Sequence, residues 1–166
     1  DGVADCREFD PLDFLSRKEA RRADRFTQLA LAASDEALQQ AGWDGDLPHD
    51  PQRIGCVIGT GIGGIGSLQE QAGVLREKGA KAVSPLAVPF MMANAGSAAV
   101  AMRHGIHGES FGVVSACAAC AHAIGTATRM IRSGQVDAVI TGGSESAMTD
   151  IAIAAFASMG ATSPSG

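Results

Sequence analysis

Apolar and polar positions along the chain follow first a helical spacing and then short unbroken runs, and each change of pattern marks an element. From Phe26 the positions Leu29, Ala30, Ala33, Ala37, Leu38 and Ala41 recur at helical spacing and Gly42 supplies a stop, which predicts an amphipathic helix. Just upstream, Ser16 and Glu19 have the spacing of a capping box, in which each side chain satisfies the other's free backbone donor, so a short basic helix is expected there. A loop carrying Pro48 and Pro51 leads into "RIGCVIGTG", an apolar run bounded by glycines that suits a buried strand ending near Gly59. Ser67 with Glu70 reads as a second capping box, opening a helix that ends at Gly79. Next, "SPLAVPFMMANAGSAAVAMRHG" reads as a loop and then a small-residue helix from about Pro89 to His104. A strand at "SFGVVSA", a helix from Cys117 to about Arg132 and a strand at "VDAVITGG" complete the series.

Strand, helix, strand, helix at these spacings predicts an α/β fold with a largely parallel sheet. The strand runs lack polar alternation, so both sheet faces are expected to be covered by helices. There is no internal repeat and no low-complexity segment.

Composition narrows the function classes. A chain of 166 residues with 46% hydrophobic residues can bury a sizeable core without a disulfide or metal staple. It has no apolar run of about 18 residues and no signal-like stretch at the amino end, so a soluble, cytoplasmic protein is expected. The four cysteines, Cys6, Cys56, Cys117 and Cys120, are too scattered for a secreted disulfide framework and are expected to be reduced. A net charge of -5 argues against general nucleic-acid binding, yet "SRKEARRADR" concentrates five positive residues against two negative ones. The chain opens on "DGVADCREFDP" without an initiator Met and closes on the turn-like "TSPSG", which reads as an excerpt of a longer protein.

Two stretches carry candidate chemistry. "GTGIGGIG", residues 59 to 66, follows a strand and precedes a helix, where free amides could hold an anion. Its glycines fit G-x-G-x-x-G, but no acidic residue marks a second strand end about 20 residues later and the Gly-Lys-Ser/Thr of a triphosphate loop is absent. The alternatives are a tight turn or a space cleared for a long ligand, with Ile62 the only bulky side chain in "GTGIGG".

The second stretch, "GVVSACAACAHAIG", sets Cys117 and Cys120 three positions apart. A strand ending at Ala116 and a helix starting near Cys117 would put that thiol at the positive end of the helix, a field that favours thiolate. The helix behind it is apolar nearly all round, through Ala118, Ala119, Ala121, Ala123, Ile124, Gly125, Ala127 and Met130, and is expected to be buried. A metal site would need two more ligands, and Cys6, Cys56 and His122 show no ligand spacing. A thioredoxin-like couple also sits at a helix start, so the local context leaves it open. Two buried, inert thiols remain the default, better suited to Cys120, which is expected to pack in the core one turn deeper than Cys117.

Together "SRKEARRADRF", "GTGIGGIGS", "SPLAVPFMMANAG", "GESFGVVSACAACAHAIG", "AVITGGSES" and "FASMGATS" resemble, in order and over nearly the whole chain, the β-ketoacyl-(acyl carrier protein) synthases. Among these, the chain is most similar to the type II elongating enzymes of fatty acid synthesis, which have the thiolase-like layered fold. The resemblance implies that residues 1–166 are a partial amino-terminal ketosynthase domain, incomplete as a fold. It implies that Cys117 is the acyl-accepting nucleophile and its own amide one of two oxyanion-hole donors. Ile62 matches the side chain that gates the acyl pocket, and Phe156 an aromatic near the nucleophile. Lys18, Arg21 and Arg22, with Lys81, fall where the family docks the acidic acyl carrier protein, although a solvated helix face is the bland alternative for each.

The resemblance further implies a homodimer paired through sheet edges near the nucleophile, with no organic cofactor and no metal. Two histidines, a lysine and a second oxyanion amide would lie downstream; His49, His104, His107 and His122 match none of them, and His122 reads as structural. These 166 residues alone are therefore not expected to complete a condensation. One departure stands out: Cys120 occupies a position where the family usually has glycine, which opens the possibility of a disulfide with Cys117. A polyketide ketosynthase, a non-catalytic chain-length partner subunit and a redox thiol protein are the competing readings, with retention of Cys117 counting against the partner subunit.

Overall fold

The computed structural model describes residues 6–43 and 45–163, so the opening "DGVAD", Asp44 and the final "PSG" of the turn-like end lie outside the described residues. In chain order the elements are α1 (Arg17–Ala20), α2 (Arg25–Gln40), β1 (Ile54–Thr60), α3 (Ile65–Lys78), α4 (Ala87–Met91), α5 (Ala95–His104), β2 (Ser110–Val114), α6 (Ala119–Arg132), β3 (Ala138–Gly143) and α7 (Asp150–Ser158). Among the described residues, 3₁₀ turns lie at Pro11–Asp13, Pro51–Arg53, Ala80–Ala82 and Ala116–Ala118.

The three strands form one parallel sheet in the order β2-β1-β3. Parallel neighbours require crossovers, and helices supply them: α3, α4 and α5 between β1 and β2, α6 between β2 and β3. All seven residues of β1 are buried, as a central strand covered on both faces demands. Its side chains alternate between two cores. Ile54, Cys56 and Ile58 join Ala30 and Leu31 of α2 and Val100 and Ala101 of α5. Val57 meets Ala123 and Met130 of α6 on the opposite face. Coverage weakens outward, because β2 contains no buried residue and β3 only Ala138.

The face of β1 toward α6 carries Gly55, Val57 and Gly59, and there the absence of a side chain decides the packing. A Cβ on Gly59 would overlap the backbone of Ala119 and come within 2.8 Å of the Cys120 nitrogen. Only glycine lets the start of α6 lie against the strand. The small residues Ala119, Ala123 and Ala127 continue that contact along the helix.

Several expectations need correction. Ser16 and Glu19 do form a capping box, Ser16 N donating to Glu19 Oε2 at 2.8 Å and Glu19 N to Ser16 Oγ at 3.3 Å. Ser67 and Glu70 do not, because α3 begins two residues earlier at Ile65 and Asp24 Oδ2 accepts both Ser67 N (2.8 Å) and Ser67 Oγ (2.7 Å). Asp24 also caps α2 through Phe26 N, so one buried carboxylate serves the amino ends of two helices. The buried face of α2 runs through Phe26, Thr27, Ala30, Leu31, Ser34 and Leu38, leaving Ala33, Ala37 and Ala41 exposed and Leu29 half-buried. Phe26, which is fully buried, and the bulkier Leu31 set the rotation of the helix, against which an alanine stripe contributes little area. The helix expected from Pro89 to His104 is two, α4 and α5, with Met92 extended between them (φ -64°, ψ 134°). Helix α7 lies where no element was expected, in an apolar stretch whose residues are mostly exposed.

Cys56 lies at the centre of the sheet, fully buried. Burial pushes its thiol up to about 12, because the thiolate would lose its hydration. A raised value in the fold means that Cys56 favours folding below the ordinary thiol value of about 8.5, a contribution lost as pH rises toward the folded value. In the native protein at neutral pH, iodoacetamide should therefore label the exposed Cys6, Cys117 and Cys120 and spare Cys56. Peptide mapping before and after denaturation checks this.

Candidate active site

Parallel strands end on one side of a sheet, and the loops leaving those ends form the usual ligand crevice of open α/β sheets. Here Gly59 pairs in register with Val113 on one side and Gly143 on the other, so three loops converge: 61–64 after β1, 115–118 after β2 and 144–149 after β3. They surround a cavity of about 350 Å³ whose lining includes Gly59, Ile62, Cys117, Cys120, Glu145 and Phe156. An adjoining cleft of about 580 Å³, toward Arg25 and Met148, shares Glu145 and Phe156.

Cys117 does not open an α-helix, contrary to expectation. It sits in the 3₁₀ turn Ala116–Ala118, closed by the Ala118 N to Ser115 O bond of 3.1 Å, and α6 starts two residues later with Ala118 as its cap. Ala116, immediately before it, has φ 51° and is the single non-glycine with positive φ among the described residues. That conformation costs an alanine about 1 kcal/mol, and the turn that stores it leaves the Cys117 side chain exposed at the cavity.

Cys120 is also exposed and lines the same cavity, rather than packing in the core. Its side chain lies over the end of β3, where a Cβ on Gly143 would stand 2.6 Å from its Cβ and 3.2 Å from its Sγ. The thiol thus fits because residue 143 is glycine. All four cysteines are free, and among the described residues no group of three His, Cys, Asp or Glu side chains is placed to hold a metal.

Nor is α6 buried all round. Ala119, Ala123, Ala127 and Met130 face the sheet, whereas Ile124 and Ile131 are exposed. His122, on the outer side, has Nδ1 at 2.7 Å from Ser115 Oγ, which ties the helix back to the turn before Cys117.

The glycine loop is already filled. Glu145 Oε2 accepts from Gly61 N (2.8 Å), Ile62 N (2.9 Å) and Thr60 Oγ1 (3.1 Å), so the amides that suggested an anion site hold the chain's own carboxylate. Glu145 was not identified from the sequence; the only cue is an acid just past "VITGG", 85 residues from Thr60. Above the carboxylate, Ile62 remains 44% exposed with its side chain at the cavity. Phe156, on α7, closes another part of the lining.

The structure thus brings Ile62, Cys117 and Phe156 together. Lys18, Arg21 and Arg22 are exposed on and just after α1, and Lys81 is exposed on the Ala80–Ala82 turn, a separate element. Among the described residues no helix is long and apolar enough to cross a membrane.

Residues 2–166 match the family model described as beta-ketoacyl synthase, N-terminal domain. The chain is 42% identical over 160 residues to 3-oxoacyl-[acyl-carrier-protein] synthase 2 of Synechocystis sp. (strain ATCC 27184 / PCC 6803 / Kazusa), covering 96% of this chain and 38% of that protein. It is 39% identical over 155 residues to the protein of the same name from Rhizobium meliloti (strain 1021), covering 93% and 37% respectively. The crystal structure of a beta-ketoacyl synthase from Burkholderia phymatum STM815 superposes with a TM-score of 0.82 at 28% identity, over 95% of this chain and 38% of that one. The chain therefore spans less than two fifths of the length of these relatives.

Proposed function

Because the chain belongs to the β-ketoacyl synthases, whose N-terminal domain matches residues 2–166, we propose that it is the nucleophile-bearing part of a decarboxylating 3-oxoacyl-(acyl carrier protein) synthase of fatty acid elongation. The observation that carries this reading is the position of Cys117, exposed in a strained turn at the carboxyl end of a parallel strand and facing a cavity shared with Ile62 and Phe156.

The reaction proceeds in two transfers. The Cys117 sulfur attacks the thioester carbonyl of acyl-carrier protein, the carrier thiol leaves, and the acyl group becomes a Cys117 thioester. The oxyanion of that step is held by two amides, one of them that of Cys117. Malonyl-carrier protein then loses carbon dioxide, and its carbanion attacks the Cys117 thioester. A carbon–carbon bond forms, the cysteine sulfur leaves, and 3-oxoacyl-carrier protein is released. The decarboxylation is served by histidines and a lysine beyond this chain, and neither metal nor organic cofactor takes part.

Carrier docking is assigned to Lys18, Arg21, Arg22 and Lys81, all exposed on a chain of net charge -5. A homodimer in the cytoplasm is the assembly proposed. Its support is the outer edge of β2, unpaired among the described residues, with Val114 of that strand exposed; a second copy would cover both.

Incubating the full-length protein with acyl-carrier protein and then malonyl-carrier protein tests the reading. A mass increase equal to the acyl group, followed by carbon dioxide release and 3-oxoacyl product, is expected; no covalent intermediate would refute it. Ile62→Phe should shorten the acyl chains accepted, lowering kcat/KM for long donors about 10-fold to 100-fold while leaving the shortest within about threefold. Chain-length competition assays read this directly, and an unchanged profile removes Ile62 as the gate.

A further inference from the structure

Three donors on one carboxylate oxygen is more than a loop needs to close. Glu145 Oε2 receives the Thr60 hydroxyl and the Gly61 and Ile62 amides, while Oε1 accepts Ser146 N at 2.9 Å. The same Thr60 hydroxyl oxygen accepts Gly63 N at 3.1 Å, so each residue from Thr60 to Gly63 is tied directly or through one atom to Glu145. Ser144, its neighbour, anchors the β3 loop by donating its amide to Gly59 O (2.9 Å) and its hydroxyl to Phe26 O (2.6 Å). The carboxylate thus rests on a fixed base and holds the one loop residue with a bulky side chain at the cavity. Gly61 leaves it room, since a Cβ there would lie 3.0 Å from Oε2.

We propose that Glu145 is a positioning residue for acyl-chain selection: it fixes the backbone of Ile62 and thereby the depth available to an acyl group on Cys117. This rests on the reading of Cys117 as the acyl acceptor. Charge-assisted hydrogen bonds from two adjacent amides are short and directional, so the loop cannot slide outward to admit a chain without breaking both. Selection then falls to rotation of the Ile62 side chain over a stationary backbone. Without the carboxylate, the Gly61 and Ile62 amides lose their acceptor while Gly63 and Gly64 stay bonded to Thr60 Oγ1 and Met91 O, and long chains gain access by displacing the freed part of the loop.

The test uses the full-length protein as wild type, Glu145→Ala, Glu145→Gln and Thr60→Val. Amide hydrogen exchange at Gly61 and Ile62 should speed up at least tenfold in Glu145→Ala and stay within about threefold of wild type in Glu145→Gln, whose amide oxygen still accepts. The ratio of kcat/KM for a dodecanoyl donor to that for a butyryl donor should rise about tenfold in Glu145→Ala and return toward wild type in Glu145→Gln. Thr60→Val, which keeps the carboxylate but removes one donor, should shift the ratio the same way by a smaller factor, and it serves if Glu145→Ala does not fold. A merely structural role would lower both donors together and leave the ratio unchanged, which overturns the proposal, as does unchanged exchange at both amides. Failure of the wild type to form a Cys117 thioester would instead refute the reading on which the proposal rests, and the exchange measurement would still report on the latch.

Discussion

Replacing Cys117 by alanine in the full-length protein should abolish covalent acyl transfer, with condensation falling by at least about a thousandfold. Removing a nucleophile leaves only the catalysis that binding and oxyanion stabilisation supply by themselves. No other described thiol can substitute. Cys56 is fully buried with its thiol pushed up to about 12. Cys6 is exposed but lines the adjoining cleft. Cys120 shares the cavity, yet its side chain is packed over the end of β3 against Gly143. Cys120→Ala should accordingly keep acylation within about threefold, since it removes only a thiol on the cavity wall. Intact-mass spectra of the two variants after exposure to acyl-carrier protein read both outcomes, and circular dichroism confirms that each is folded.

The second large effect concerns Gly59. Gly59→Ala puts a methyl group into the Ala119 backbone, where neither partner is a flexible side-chain end that could move aside. Either β1 or α6 must shift, and β1 is hydrogen-bonded on both edges, so the start of α6 yields. We expect a loss of about 2–4 kcal/mol in chemical denaturation, the range for overpacking in a rigid contact. The same shift carries the Cys117 turn with it, and a displacement of about 1 Å can cost roughly a hundredfold in rate, so acylation should fall further than stability. Gly125→Ala is the control: its Cβ would meet only the end of the Arg129 side chain at 3.7 Å, and within α6 the substitution should be neutral or stabilising by up to about 1 kcal/mol. Equal behaviour of the two variants would contradict the packing account.

These predictions rest on features of unequal visibility in the sequence. Elements set by local rules were legible, as the apolar run of β1 and the box between Ser16 and Glu19 illustrate. Where a distant group competes for the same donor, local spacing misleads: Ser67 has the spacing of a cap, but Asp24, 43 residues upstream, takes both its amide and its hydroxyl. The spacing in α2 does not fix its buried face, because alanines share the helical period with the larger Phe26 and Leu31, and burial follows area. Helix α6 looked wholly buried because alanine is compatible with either environment. At the site, Cys117 stands out in the sequence by its strand-to-helix junction and Ile62 as the bulky residue of the glycine loop, Phe156 by family resemblance alone, and the cavity that joins them follows from the topology, which brings three strand ends to one side. Glu145 is not marked in the sequence because the loop partners of its Oε2 lie more than eighty residues away, a separation that no periodicity encodes.

The glycine loop shows how the fold resolves an ambiguous motif. A phosphate loop and an internally satisfied turn need the same backbone amides, and sequence spacing alone does not separate them. Here the amides of Gly61 and Ile62 are spent on Glu145, so the loop acts as a wall of the cavity rather than as a site for a free anion.

The central claim, that Cys117 and not Cys120 accepts the acyl group, is tested most directly by trapping the acylated wild-type protein before malonyl-carrier protein is added and fragmenting the peptide that contains both cysteines. The account predicts the acyl mass on Cys117 with Cys120 unmodified; the acyl mass on Cys120, or a disulfide between the two thiols and no thioester, would contradict it.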